Sequence, residues 1–182
     1  MIVPVLVGQA PARTSQGRGA FRGPAGDRLA RLLGVSTAAL RASVELRNLL
    51  DYWPGPVAPG CSGDAFPMAE GRAAAERLAP TLAGRRVLLA GRAVAWCFAG
   101  GAVGLAGQRL GLFEWVEHEC GFEACIIPHP SGASRWWNAP ANRALARREL
   151  LAILGLVSEQ TTLCAMSAHA GGSHHGEHRS RA

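Results

Sequence analysis

Lysine is absent from this sequence. All nineteen basic residues are arginine, so no side-chain amine can form a Schiff base, and lysine-based covalent catalysis is excluded. The five cysteines (Cys61, Cys97, Cys120, Cys125 and Cys164) include no Cys-x-x-Cys pair. Their odd number, with no secretory feature, predicts reduced thiols in a cytoplasmic protein. Cys120 and Cys125 are spaced to approach each other across a turn. Few further ligands stand near them at metal-binding spacing, so no metal is expected there. Long hydrophobic runs are missing as well. Residues 2–7 (IVPVLV) are too short for the core of a signal peptide and follow no basic stretch. The uncharged run 93–107 falls short of the roughly 20 residues that a spanning helix needs, and its glycines suit a helix end and a loop. A soluble protein is expected.

What is present fits one domain with a real core: 182 residues, 48% of them hydrophobic. The formal net charge of +6 favours a polyanionic partner such as DNA. Short apolar runs at 2–7, 44–50, 86–90, 113–119 and 124–128 read as strands. Helical spacing appears at 27–33, stopped by Gly34, then at 36–41, at 68–82, from about Arg92, and at 140–154 with Asn138 or Ala139 near its cap. Strands alternating with helices predict an α/β fold, a three-layer α/β/α sandwich around a short, mostly parallel sheet. The domain is expected over 1–157. Residues 158–182 are rich in Gly, Ser and His without an apolar period and read as a disordered tail. Four of the six histidines lie there (His169, His174, His175, His178), and no metal role is expected of them.

In such a sheet, ligands sit at the carboxyl ends of the strands. The loops after Gly8, Leu49 and Ile127 all leave such ends, so they are expected to converge on one pocket. Three stretches carry a resemblance. Residues 7–34 hold a Gly8-Gln9-Ala10-Pro11 turn, then Ala20-Phe21-Arg22-Gly23, then a helix. Residues 46–55 (LRNLLDYWPG) place Asn48 in an apolar strand. Residues 127–138 (IPHPSGASRWWN) place His129 before Pro130 and Ser131. In this order, and with residues 86–98 between them, they resemble the uracil-DNA glycosylase superfamily across most of residues 1–155.

The resemblance implies a role for each position. Gln9 falls on the water-handling turn, Phe21 on the aromatic that stacks on a flipped base, Asn48 on the base-reading Asn and His129 on the catalytic His. The chemistry is consistent with this. A base excision enzyme holds an extruded base by stacking and by its Watson–Crick edge, and an Asn offers both a donor and an acceptor to that edge. A His donating toward O2 stabilises the anion that forms as the glycosidic bond lengthens. Ser131 and Gly132 are placed to hold a phosphate through backbone N–H and hydroxyl groups. Arg135, Trp136 and Trp137 follow at once, as a wedge or a backbone track, with one Trp equally readable as plain core.

Two departures matter. Gln9 stands where many relatives carry Asp, Asn or Glu, and an amide orients water without taking its proton. Asp27 is the alternative, although an acidic residue in the first turn of a helix has a plainer, electrostatic reading. Iron–sulfur relatives carry a cysteine just after the base-reading Asn, where this chain has Leu50-Asp51, so neither a cluster nor any other cofactor is expected. The expected activity is monofunctional hydrolysis of uracil or a related pyrimidine from DNA by a monomer. A non-catalytic reader of flipped bases and a glycosylase for a base such as 5-hydroxymethyluracil remain open.

Overall fold

The computed structural model describes residues 2–58, 65–99, 111–131 and 134–156. The predicted tail, Cys61, Cys164 and Gly132 lie outside the described residues. The strands are β1 (Val5–Gly8), β2 (Glu45–Asn48), β3 (Arg86–Ala90), β4 (Trp115–His118) and β5 (Phe122–Ile127). The helices are α1 (Pro24–Leu33), α2 (Thr37–Ser43), α3 (Met68–Leu78), α4 (Arg92–Phe98) and α5 (Pro140–Leu154). One sheet has the order β2-β1-β3-β5-β4. Its pairs are parallel except β4 with β5.

Side chains alternate across this sheet with period two. Val5 and Val7 of β1, Val87 and Leu89 of β3, and Ala124 and Ile126 of β5 enter one core, closed by Ala74 and Ala75 of α3 and by Val94 and Phe98 of α4. Leu6, Leu88, Cys125 and Ile127 enter the other, closed by Leu29 and Leu33 of α1, Leu40 of α2 and Leu150 of α5. Both faces are therefore covered, and the three-layer expectation holds. The alternation also separates two thiols expected to approach each other. Cys125 lies in the second core and Cys120 packs against the first, and both are free. Burial pushes the Cys125 thiol up to about 12, so it is not a ready nucleophile.

Several boundaries differ from the sequence reading, for local reasons. The first strand starts at Val5, because Pro4 has no N–H for a ladder and Ile2 and Val3 remain exposed. The helix expected over 68–82 stops at Leu78 and tightens into a 3₁₀ turn, Ala79–Leu82, since Pro80 cannot donate to the preceding turn. The strand expected from Phe113 starts at Trp115; Phe113 has φ 65°, outside the extended region. α1 begins at Pro24, whose missing N–H is harmless at a first helical position, and it ends at Gly34, left-handed at φ 68°. No described helix is long and apolar enough to cross a membrane.

Chain order positions the site. From β1 the chain passes through α1 and α2 on one face to reach β2; from β3 it passes into α4 on the other face. β1 and β3 are adjacent, so the direction of winding reverses between them. The carboxyl ends of these strands border the crevice where such sheets bind ligands.

Candidate functional site

A cavity of about 560 Å³ opens at those carboxyl ends. Gly8 ends β1 and pairs in register with Asn48, which ends β2. The ladder continues past both strands: Leu49 N–H donates to Gly8 O and Leu50 N–H to Gln9 O, each at 2.9 Å. The turn carrying Gln9 and the strand end carrying Asn48 are thus tied together by backbone.

Gly8 is the point on which the wall converges. A Cβ there would lie 2.7 Å from Asn48 Oδ1 and 2.8 Å from two ring atoms of Phe21. Only a glycine leaves room for both groups. Phe21 is buried and sits at φ 53°, a left-handed conformation that is costly for a bulky residue. Gly26 makes this possible, since a side chain there would overlap the Phe21 carbonyl. The ring belongs to the edge of the second core and to the cavity wall at once.

His129 reaches the cavity from the end of β5, between the buried Pro128 and Pro130. The backbone N–H of Ser131 donates to its Nδ1 at 3.2 Å. An accepting Nδ1 places the proton of the neutral imidazole on Nε2. The His129 carbonyl accepts from the indole N–H of Trp137 at 2.9 Å, and Trp137 is 2% exposed. Gly91, at φ 91° after β3, backs the ring: a Cβ there would lie 3.0 Å from the His129 Cβ. The loop itself and Gly91 thus fix the side chain, and Trp137 holds the backbone that carries it.

The structure brings Gln9, Phe21, Asp27, Asn48, His129 and Ser131 into the wall of the same cavity. Asp27 is the one carboxylate among the described lining residues. It lies in the first turn of α1, its side chain is 52% exposed, and it sits 3.9 Å from Arg41. Ser131 uses its N–H on His129, which leaves only its hydroxyl for the phosphate contact expected of it. Arg135 and Trp136 are not part of the cavity wall. Both lie in the 3₁₀ turn Arg135–Asn138, where Arg135 is exposed and Trp136 packs against Phe113 and Trp137 with ring centroids 6.2 and 5.1 Å away. Trp137 is the core Trp of the pair.

Sequence reading missed Arg28, Arg31 and Phe66, which also line the cavity. Arg28 and Arg31 stand four and seven residues after Pro24, so helical spacing puts them on the face of α1 that carries Pro24 and Asp27. No group of three or more His, Cys, Asp or Glu able to hold a metal ion occurs among the described residues.

The family model of the Uracil DNA glycosylase superfamily matches residues 4–154, a span that includes every residue of the cavity wall. No curated protein matches the chain.

Proposed function

The chain belongs to the uracil DNA glycosylase superfamily, and on that basis we propose that it is a monofunctional DNA glycosylase acting on uracil or a related pyrimidine. Membership supports a glycosylase-type hydrolase of base excision repair with DNA as the bound substrate. The finer reading rests on one observation: a Phe21 ring and an Asn48 carboxamide converge on Gly8 in the cavity that His129 also lines.

In this reading a flipped base stacks on Phe21 and pairs its edge with the Asn48 carboxamide. The N1–C1′ bond breaks with its electron pair going to the base. Neutral His129, with its proton on Nε2, donates a hydrogen bond toward O2 and stabilises the developing anion without giving up the proton. A water positioned by the Gln9 amide forms the new bond to C1′, and the proton it loses ends on the departed base. The products are the free pyrimidine and an abasic site. Ala10 and Pro11 beside Gln9, with Phe66 and Pro54, add apolar wall that limits access of other water.

Single-turnover incubation with oligonucleotides containing uracil, 5-hydroxymethyluracil or a mismatched thymine, followed by alkali, tests this directly. Breaks at uracil that appear only after alkali are expected. Breaks at hydroxymethyluracil alone would reassign the base. A second reading, a reader that binds flipped bases without hydrolysing them, is favoured by the lack of a carboxylate at Gln9 and by the position of Asp27 beside Arg41. Binding without breaks at any base would select it.

A further inference from the structure

We propose that Arg28 and Arg31 form a phosphodiester-binding wall for the nucleotide whose base lies against Gly8. The inference rests on the base-binding reading above. α1 presents Pro24, Asp27, Arg28 and Arg31 to the cavity, the one-sided spacing of a helix face. The Nε of Arg28 is buried and has no hydrogen-bond partner. Buried donors are almost always matched; this Nε is itself closed to solvent, so a ligand would meet Arg28 through the part of its side chain that lines the cavity. The guanidinium of Arg31 is exposed and makes no hydrogen bond or ion pair among the described residues. The nearby Asp27 carboxylate has Arg41 as its partner, which leaves the two arginines to set the charge of this wall.

The cavity is graded in the way a nucleotide is. Gly8, Pro11 and Phe21, at one end, are buried; Pro24, Asp27 and Arg31, on α1, are exposed. A base fits the buried end and a charged ester the exposed one. At about 560 Å³ the space lies within the range that holds a drug-sized ligand, more than one pyrimidine ring fills. The Ser131 N–H is engaged by His129, so a phosphate there needs other donors. The planar, forked guanidinium is suited to its oxygens.

Binding, not cleavage, gives the test. The probe is a duplex with a tetrahydrofuran abasic analogue, its flanking phosphates natural or replaced one at a time by uncharged methylphosphonate. Arg28→Gln/Arg31→Gln should weaken binding about tenfold and reduce the slope of log K against log salt by about 1. One methylphosphonate should weaken the wild type similarly and the double variant no further, the signature of a shared interaction. Arg31→Gln alone, at an exposed position, gives a smaller loss at the same phosphate and guards against misfolding at Arg28. An unchanged salt slope, or losses that simply add at every phosphate, would overturn the proposal. Wild type that binds the probe with these signatures yet releases no base from uracil- or hydroxymethyluracil-containing duplexes would overturn the proposed catalysis and leave this wall standing.

Discussion

His118 and His129 are held by the same local device at opposite ends of the sheet. In each, the backbone N–H two residues on donates to Nδ1: Cys120 at 3.1 Å and Ser131 at 3.2 Å. An accepting Nδ1 puts the proton of each neutral ring on Nε2. The surroundings then diverge. His118 is 5% exposed, has Nε2 3.2 Å from the Phe98 carbonyl, and stacks on Phe122 with centroids 4.3 Å apart. It pairs with Phe122, where β5 begins, so it lies at the amino end of the parallel strands. His129 follows the carboxyl end of β5 and lines the cavity. The hydrogen bond to Nδ1 fixes a tautomer in both cases; position in the sheet decides whether that tautomer serves packing or chemistry.

The sharpest way to break this comparison is to remove each ring in turn. His129→Ala should slow base release by roughly 10²–10³, as loss of an oxyanion-type donor does. DNA affinity and melting temperature should stay near wild type, checked by single-turnover rates beside binding and thermal scans. His118→Leu should do the reverse. It leaves the Phe98 carbonyl and the Cys120 N–H without a buried partner, a loss of about 1–3 kcal/mol. At this chain length that lowers the melting temperature by about 2–4 °C per kcal/mol, while the rate per folded molecule holds. A slow but stable His118→Leu would mean that the two histidines are coupled and that the division drawn here is wrong.

Trp137→Phe sharpens the comparison further. It keeps most of the buried ring and removes the N–H that holds the His129 carbonyl. One ordinary hydrogen bond is worth about 1 kcal/mol, so the rate should fall about fivefold with DNA affinity unchanged, measured well below the melting transition. A loss in binding equal to the loss in rate would make Trp137 a packing residue only.

The resemblance pointed to Gln9, Phe21, Asn48 and His129, and all four line one cavity; α/β topology by itself accounts only for the convergence of the loops after Gly8, Leu49 and Ile127. The two-residue alternation of Val5, Leu6 and Val7 made the covered sheet legible. Arg28 and Arg31 could not be placed, since their membership of the wall depends on how α1 is rotated against the strand ends, a tertiary fact with no local signature. Trp136 and Trp137 are adjacent and chemically identical, so nothing in the sequence tells which indole is buried beneath His129. The left-handed backbone of Phe21 is also invisible there, because it depends on the room that Gly26 leaves beside the Phe21 carbonyl. Arg28 shows the limit most clearly: its place in the wall and its buried, unmatched Nε are properties of the folded chain, whereas the sequence shows only one more arginine among nineteen.

The most evenly balanced effects lie at Gln9 and Asp27, where the His129 side of the comparison meets water. If base departure is well advanced before water attacks, most of the barrier is met by His129, and Gln9 has only to hold a nucleophile in place. Gln9→Ala should then lower the single-turnover rate by a few-fold to about tenfold, well below the 10²–10⁴ range of general acid–base catalysis, and leave affinity for the abasic analogue unchanged. Gln9→Glu introduces two opposed electrostatic effects. Its carboxylate can take the proton that water sheds, but it also repels the departing anion that His129 stabilises. The net change on uracil should therefore be a preserved or modestly raised rate, and its pH profile should gain a limb that rises as the new carboxylate ionises. Asp27→Asn is the matching control, because Asp27 is half-exposed and has Arg41 at 3.9 Å. It should change the rate less than Gln9→Ala does. An inactive Asp27→Asn beside a fully active Gln9→Ala would transfer the water to α1 and leave Gln9 as part of the turn alone.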